Sequence, residues 1–208
     1  MKRVFFFGDS NAWGYIPGGG RQNPKDTYPL VAARICGAEA LVDGLNGRAT
    51  VRCHDTFPGE LHGGASFLAS LRQALPLTGL VICLGTNDVM GPLNLGADEI
   101  CENLAFMFEG AERLCGNSLS MMLVSPPPIA RAVVYSLIAS YGGDEATILQ
   151  NLAAPCEKLA SRLGIHFFDG SSAVPEMTAR DGFHLDKEGH RLLGEGLGNC
   201  LLKILQEA

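Results

Sequence analysis

The sequence predicts an α/β fold: a three-layer α/β/α sandwich around a five-stranded parallel sheet, flavodoxin-like in style. Three observations predict it. Short apolar runs end in glycine or proline, amphipathic stretches at helical spacing separate them, and the two kinds alternate along all 208 residues.

Val4-Phe5-Phe6-Phe7 opens the series, a β-prone run closed by Gly8 and read as a buried strand. Thr27 stands where it can cap a helix over residues 28–35. A strand near 38–42 follows, with an alternating stretch at its end, and then a helix over 65–74. Leu80-Val81-Ile82-Cys83-Leu84 is a second buried run. The long helix over 98–114 repeats Ile100, Leu104, Met107, Phe108 and Ala111 at helical spacing. A strand over 119–125 stops at Pro126-Pro127-Pro128, because proline removes the backbone donor and fixes φ. A helix over 144–163, a strand over 165–169 and a helix over 187–206 complete the pattern, the last with Leu192, Leu193, Leu197 and Leu201 on one face. No repeat, low-complexity tract or linker interrupts it, so one domain spanning 1–208 is expected.

Composition narrows the partners. The hydrophobic share of 47% is that of a globular protein, and a net charge of −6 with scattered basic residues leaves no nucleic-acid footprint. No basic run suits a membrane surface, and no stretch approaches the roughly 18 apolar residues of a membrane span. Lys2-Arg3 before Val4 suggests a signal peptide only briefly, since the apolar run is too short. Seven cysteines, at 36, 53, 83, 101, 115, 156 and 200, are odd in number and form no C-x-x-C pair, which argues against a disulfide framework and against zinc. Free thiols point to the cytoplasm. No His/Asp/Glu cluster has metal-ligand spacing, so neither metal nor cofactor is expected.

Two strings at opposite ends of the chain hold the parts of a serine hydrolase. Gly8-Asp9-Ser10 follows the first strand, which delivers Ser10 to the strand's carboxyl end, where open α/β sheets bind ligands. Gly8-Asp9-Ser10-Asn11-Ala12 approaches the G-x-S-x-G nucleophile elbow, with alanine as its last residue. The bland alternative is that Asp9 and Ser10 only cap a helix. Asp181-Gly182-Phe183-His184 supplies the rest: a serine attacks at neutral pH only when an imidazole takes its proton, and a carboxylate fixes that imidazole's tautomer. The second buried run delivers Gly85-Thr86-Asn87-Asp88 to the same sheet edge, where the Asn87 amide can face an oxyanion. Between them, Asp43-Gly44-Leu45-Asn46-Gly47-Arg48-Ala49-Thr50 is a glycine loop able to present a backbone N–H.

In this order the four blocks resemble those of the SGNH (GDSL-type) hydrolase family, across nearly the whole chain. The resemblance implies that Ser10 is the nucleophile, His184 the base and Asp181 its orienting partner. It also implies an oxyanion hole made of the Ser10 and Gly47 N–H groups and the Asn87 side chain, with Gly44 as the rival glycine. Phe5 to Ser10, Trp13-Gly14, Gly44 to Thr50 and Val124 to Pro128 are most similar to the arylesterase and acyltransferase branch, which handles small acyl groups such as acetyl. The chain departs from the family in having Asn11 where leucine is usual, a change expected to affect local packing more than chemistry.

Trp13, Val89 and Met90 follow the nucleophile and Asn87 strings and are expected in an apolar substrate pocket. The apolar stretch 126–143 has several roles open to it: a lid, a pocket wall, a homo-oligomer contact, or a surface helix. His54 and His62 read as exposed or packing residues, and His166 as structural. His190 rivals His184 as the base, having Asp186 and Glu188 nearby, but its place within the last helix points it away from a strand end. The expected reaction is hydrolysis of a small ester, with transfer to an alcohol as a variant. A carbohydrate O-deacetylase, lysophospholipase or thioesterase would use the same triad. A non-catalytic binding module is the alternative of another class, though Gly18-Gly19-Gly20-Arg21 follows no strand and no phosphate-binding loop is present.

Overall fold

The computed structural model of the chain describes residues 1–90, 92–131, 133 and 152–207. The first strand, β1 (Arg3–Gly8), leads through the single-turn helix α1 (Ser10–Trp13) and α2 (Tyr28–Ile35) to β2 (Glu39–Gly44). Next come α3 (Gly63–Ala74), β3 (Gly79–Cys83), α4 (Ala97–Cys115) and β4 (Ser120–Ser125). The last part holds α5 (Ala153–Leu163), β5 (His166–Asp169), the short α6 (Gly170–Ala173) and α7 (Lys187–Glu207). The five strands form one parallel sheet in the order β2-β1-β3-β4-β5.

Alternation within the strands assigns each apolar side chain to a face. Phe5, Phe7, Leu80, Ile82 and Leu123 join Phe67 and Leu71 of α3, Ile100 and Leu104 of α4, and Leu159 of α5 in one core layer. Val4, Phe6, Val81, Cys83, Met122 and Val124 join Ala32 of α2 and Leu193, Leu197 and Leu201 of α7 in the other. Both faces of β1 and β3 are therefore buried, which is why these strands read as continuous apolar runs. β2 and β5 form the edges and are only partly covered. Among the described residues no helix is long and apolar enough to cross a membrane.

The expected elements lie within a residue or two of the observed ones wherever both are described. The helix expected over 144–163 is seen as α5; residues 144–151 lie outside those described. Thr27 occupies the N-cap of α2 without capping it: its hydroxyl donates to the Pro24 carbonyl at 2.8 Å, and the first amide of the helix, Tyr28 N–H, donates to His190 Nδ1 at 3.3 Å. The chain's last helix thus supplies the acceptor its second helix lacks.

The strand order places the site. From β1 the chain moves outward to β2, then crosses back to β3 on β1's other side, so the loops leaving β1 and β3 diverge. Between such loops an open α/β sheet has its crevice.

Candidate active site

Ser10 is the first residue of α1, immediately after β1. Asp9 caps that turn, its Oδ1 accepting the Asn11 N–H at 2.9 Å, so the capping role considered for it coexists with the placement of Ser10. Burial pushes the Asp9 carboxyl up from 3.8 to about 6; the Asn11 N–H, together with electrostatic interaction with His184 and the Arg48 guanidinium, opposes the rise. As the first amide of a helix, Ser10 N–H has no intrahelical acceptor.

The Asp181 loop, just ahead of α7, brings the second half of the site. Asp181 Oδ1 accepts the Phe183 and His184 N–H groups at 3.0 and 3.2 Å, which folds the turn around its own carboxylate. Asp181 Oδ2 lies 2.7 Å from His184 Nδ1, and His184 Nε2 lies 2.9 Å from Ser10 Oγ. A carboxylate only accepts, so Nδ1 carries the ring proton and Nε2 is left to receive the Ser10 hydroxyl. This arrangement can move a proton off a serine. Tyr15 covers the imidazole, with ring centroids 4.7 Å apart and planes tilted by 50°.

The glycine loop and the Asn87 loop approach from the other side. Asn87 donates to the Arg48 carbonyl at 3.0 Å through Nδ2, which carries a second hydrogen. Arg48 is 4% exposed, pairs with Asp43 at 2.7 Å, donates to the carbonyls of Gly8 and Asp43 at 3.0 and 2.6 Å, and lies over the Phe7 ring at 4.0 Å. It therefore ties the ends of β1 and β2 together. Gly44 and Gly47 differ in kind. A side chain on Gly44 would press into the Trp13 nitrogen and, at 2.8 Å, the Ala12 carbonyl carbon, so Gly44 exists to let β2 and α1 touch. Gly47 has φ +80°, in the left-handed region, and meets only the Leu61 methyl at 3.2 Å.

The expected pocket residues separate. Trp13 is half-buried, its carbonyl accepting from Arg21 Nε at 2.7 Å while the Arg21 guanidinium lies 4.8 Å from its ring. Met90 is half-buried against the core, whereas Val89, 1% exposed, is part of that core and offers a substrate no surface. Of the stretch 126–143, residues 132 and 134–143 lie outside those described, as does Gly91 beside Met90. The part that is described packs on the Asp181 loop: Ala130 N–H donates to the Gly182 carbonyl at 2.9 Å and Met177 N–H to the Pro128 carbonyl at 2.7 Å.

His190 is fully buried, stacked on Tyr28, and burial pushes it down to about 4. It is the neutral cap of α2. His62 is also buried, bonded to the Phe57 carbonyl at 3.1 Å and stacked on its ring. Three contributors escaped sequence reasoning: Asn11, whose amide bonds on both sides of His184 instead of merely packing, and Thr50 with Asp88, which join the loops after β2 and β3. Among the described residues no group of three or more His, Cys, Asp or Glu side chains is placed to share an ion.

Comparison with known proteins agrees with the fold. The family model of GDSL-like lipases and acylhydrolases matches residues 6–192. A carbohydrate acetylesterase family member from Sinorhizobium meliloti is similar at 29% identity, with 99% of this chain and 100% of that one covered and a TM-score of 0.87. The aryl esterase of M. smegmatis is similar at 27% identity, with 98% and 99% covered and a TM-score of 0.84. No curated protein matches the chain significantly.

Proposed function

The chain belongs to the GDSL-like lipase and acylhydrolase family and is an ester-hydrolysing enzyme; from that premise we propose that it cleaves esters of small acyl groups, acetyl above all, through Ser10, His184 and Asp181. The observation that carries this reading is the unbroken relay from Asp181 Oδ2 to His184 Nδ1 at 2.7 Å and from His184 Nε2 to Ser10 Oγ at 2.9 Å.

In the first step Ser10 Oγ attacks the ester carbonyl while its proton passes to His184 Nε2, and Asp181 stabilises the imidazolium. The carbonyl oxygen becomes negative and is held by Ser10 N–H, Gly47 N–H and the second hydrogen of Asn87 Nδ2. His184 returns the proton to the leaving alcohol as the carbon–oxygen bond breaks, leaving an acyl-enzyme. Water, or a second alcohol, then adds to the acyl carbon with His184 again taking the proton, and Ser10 is released. Trp13 and Met90, half-buried beside these loops, border the acyl group. The seven unpaired cysteines support a reducing, cytoplasmic setting.

Hydrolysis of p-nitrophenyl acetate, butyrate, octanoate and palmitate by the wild type and Ser10→Ala, with an alcohol added in parallel, tests the reading. Activity that is lost in Ser10→Ala and declines with chain length supports it, and wild-type turnover in Ser10→Ala sinks it. The likeness to a carbohydrate acetylesterase favours one second reading, an acetylated sugar as the ester. Faster release of acetate from a sugar acetate than from the aryl ester would select it.

A further inference from the structure

Asn11 directly follows Ser10 on α1, and its side chain reaches across 172 to 174 residues of sequence to the loop that carries His184. Its Oδ1 accepts the Leu185 N–H at 2.9 Å, and its Nδ2 donates to the Phe183 carbonyl at 3.3 Å. These are the carbonyl before His184 and the amide after it, the two groups that a residue on a neighbouring parallel strand would bond. One side-chain amide therefore imitates a strand partner for His184. The flanking side chains are anchored on opposite sides of the sheet: Phe183 packs on the layer of α3, α4 and α5, and Leu185 is buried in the layer of α2 and α7. Asn11 is itself fixed, 6% exposed, with its own N–H bonded to Asp9.

Resting on the proposed roles of Ser10 and His184, we propose that Asn11 is a positioning residue that sets the separation between the nucleophile and its base. Ser10 and Asn11 are consecutive on one rigid turn, so whatever Asn11 holds is held in register with Ser10 Oγ. Leucine at this place fills a similar volume but bonds to neither backbone group. It leaves Leu185 N–H buried without an acceptor and frees the peptide on each side of His184 to shift. A misplacement of about 1 Å at a reacting pair costs on the order of a hundredfold in rate.

The test is a double-mutant cycle on p-nitrophenyl acetate with kcat and KM separated. Asn11→Leu is expected to melt as a folded protein, to keep KM within about threefold, and to lose about 10- to 100-fold in kcat. Asn11→Asp keeps an acceptor for Leu185 N–H and turns a second oxygen toward the Phe183 carbonyl, so its kcat falls between the wild type and Asn11→Leu. In the His184→Ala background the loss from Asn11→Leu disappears, because no imidazole remains to be positioned, whereas a residue that only supports the fold costs the same in both backgrounds. Wild-type kcat in Asn11→Leu, or equal losses in the two backgrounds, overturns the proposal. If Asn11→Leu does not fold, Asn11→Asp takes its place in the same cycle with the same criteria. Ser10→Ala measured alongside separates the two claims: turnover retained there removes the proposed function itself, while turnover lost there with Asn11→Leu unimpaired removes only the role of Asn11.

Discussion

Asp88 Oδ1 receives both the backbone N–H and the hydroxyl of Thr50, at 2.7 and 2.5 Å, so one buried oxygen joins the loop after β2 to the loop after β3. These loops carry Gly47 and Asn87. Burial raises the Asp88 carboxyl from 3.8 to about 6, and the two bonds from Thr50 offset part of the rise.

The folded chain consequently holds a proton on Asp88 that the unfolded chain has already released between the ordinary value of 3.8 and about 6. The stabilising contribution of this protonated group is full below that window and is lost as pH rises through it. Asp88→Asn has no such proton to lose. The stability of the wild type relative to Asp88→Asn should therefore fall by up to about 3 kcal/mol between acid and neutral pH. Urea unfolding of both proteins across that range checks the slope; parallel curves would mean that Asp88 does not titrate there.

Asp181→Asn keeps the Oδ1 that accepts the Phe183 and His184 amides but replaces the oxygen facing Nδ1 with a donor. The turn should persist while the imidazole adopts the wrong tautomer. A loss of about 10⁴-fold in kcat, the scale of the same change in a serine protease, is expected with little change in melting temperature. Steady-state kinetics beside a thermal melt separate the two effects.

Gly44 and Gly47 should respond oppositely to alanine. At Gly44 the new methyl meets the backbone of α1, which cannot yield, so Gly44→Ala should lose several kcal/mol of stability or fail to fold. At Gly47 the obstacle is a Leu61 methyl and a left-handed φ, worth roughly 1–2 kcal/mol. Gly47→Ala should fold and lose activity beyond its loss of stability, since it tilts the N–H assigned to the oxyanion. Melting temperature and kcat measured on both variants decide the order.

His190 titrates in the other direction. Its folded value of about 4 lies below the ordinary 6.5, so the stability it contributes is present above 6.5 and is lost as pH falls through about 4. His190→Phe preserves a ring against Tyr28 but removes the acceptor for Tyr28 N–H, at a cost of roughly 1–3 kcal/mol near neutral pH. That cost should shrink on acidification, and ester turnover at saturating substrate should be retained. Denaturant melts at several pH values and an esterase assay check both points.

How much was legible in the sequence follows from how far each cause lies from its effect. β1 and β3 announced themselves because both faces are buried and every residue is apolar. α2 was placed correctly because its signals are local, although its cap was assigned to the wrong residue: His190 is 162 residues away in sequence and no local pattern points to it. The same distance hid Asn11, whose partners belong to the other end of the chain. Ser10, Asp181, His184 and Asn87 were legible as candidates because each sits in a short string with its own chemistry. Val89 was misplaced because its apolar character suits a pocket wall and a core equally, and only the inward turn after Asn87, which buries Asp88 as well, decides between them.

Ser10 and His184 are separated by 174 positions, and the loop bearing His184 comes immediately before α7. A polypeptide leaving the ribosome can lay down all five strands and α1 to α6 while holding a serine that has nothing to take its proton. On the assignment proposed here, translation products halted before residue 184 would carry the nucleophile and every oxyanion donor and still be inert, so hydrolysis would mark chains whose synthesis has passed that point.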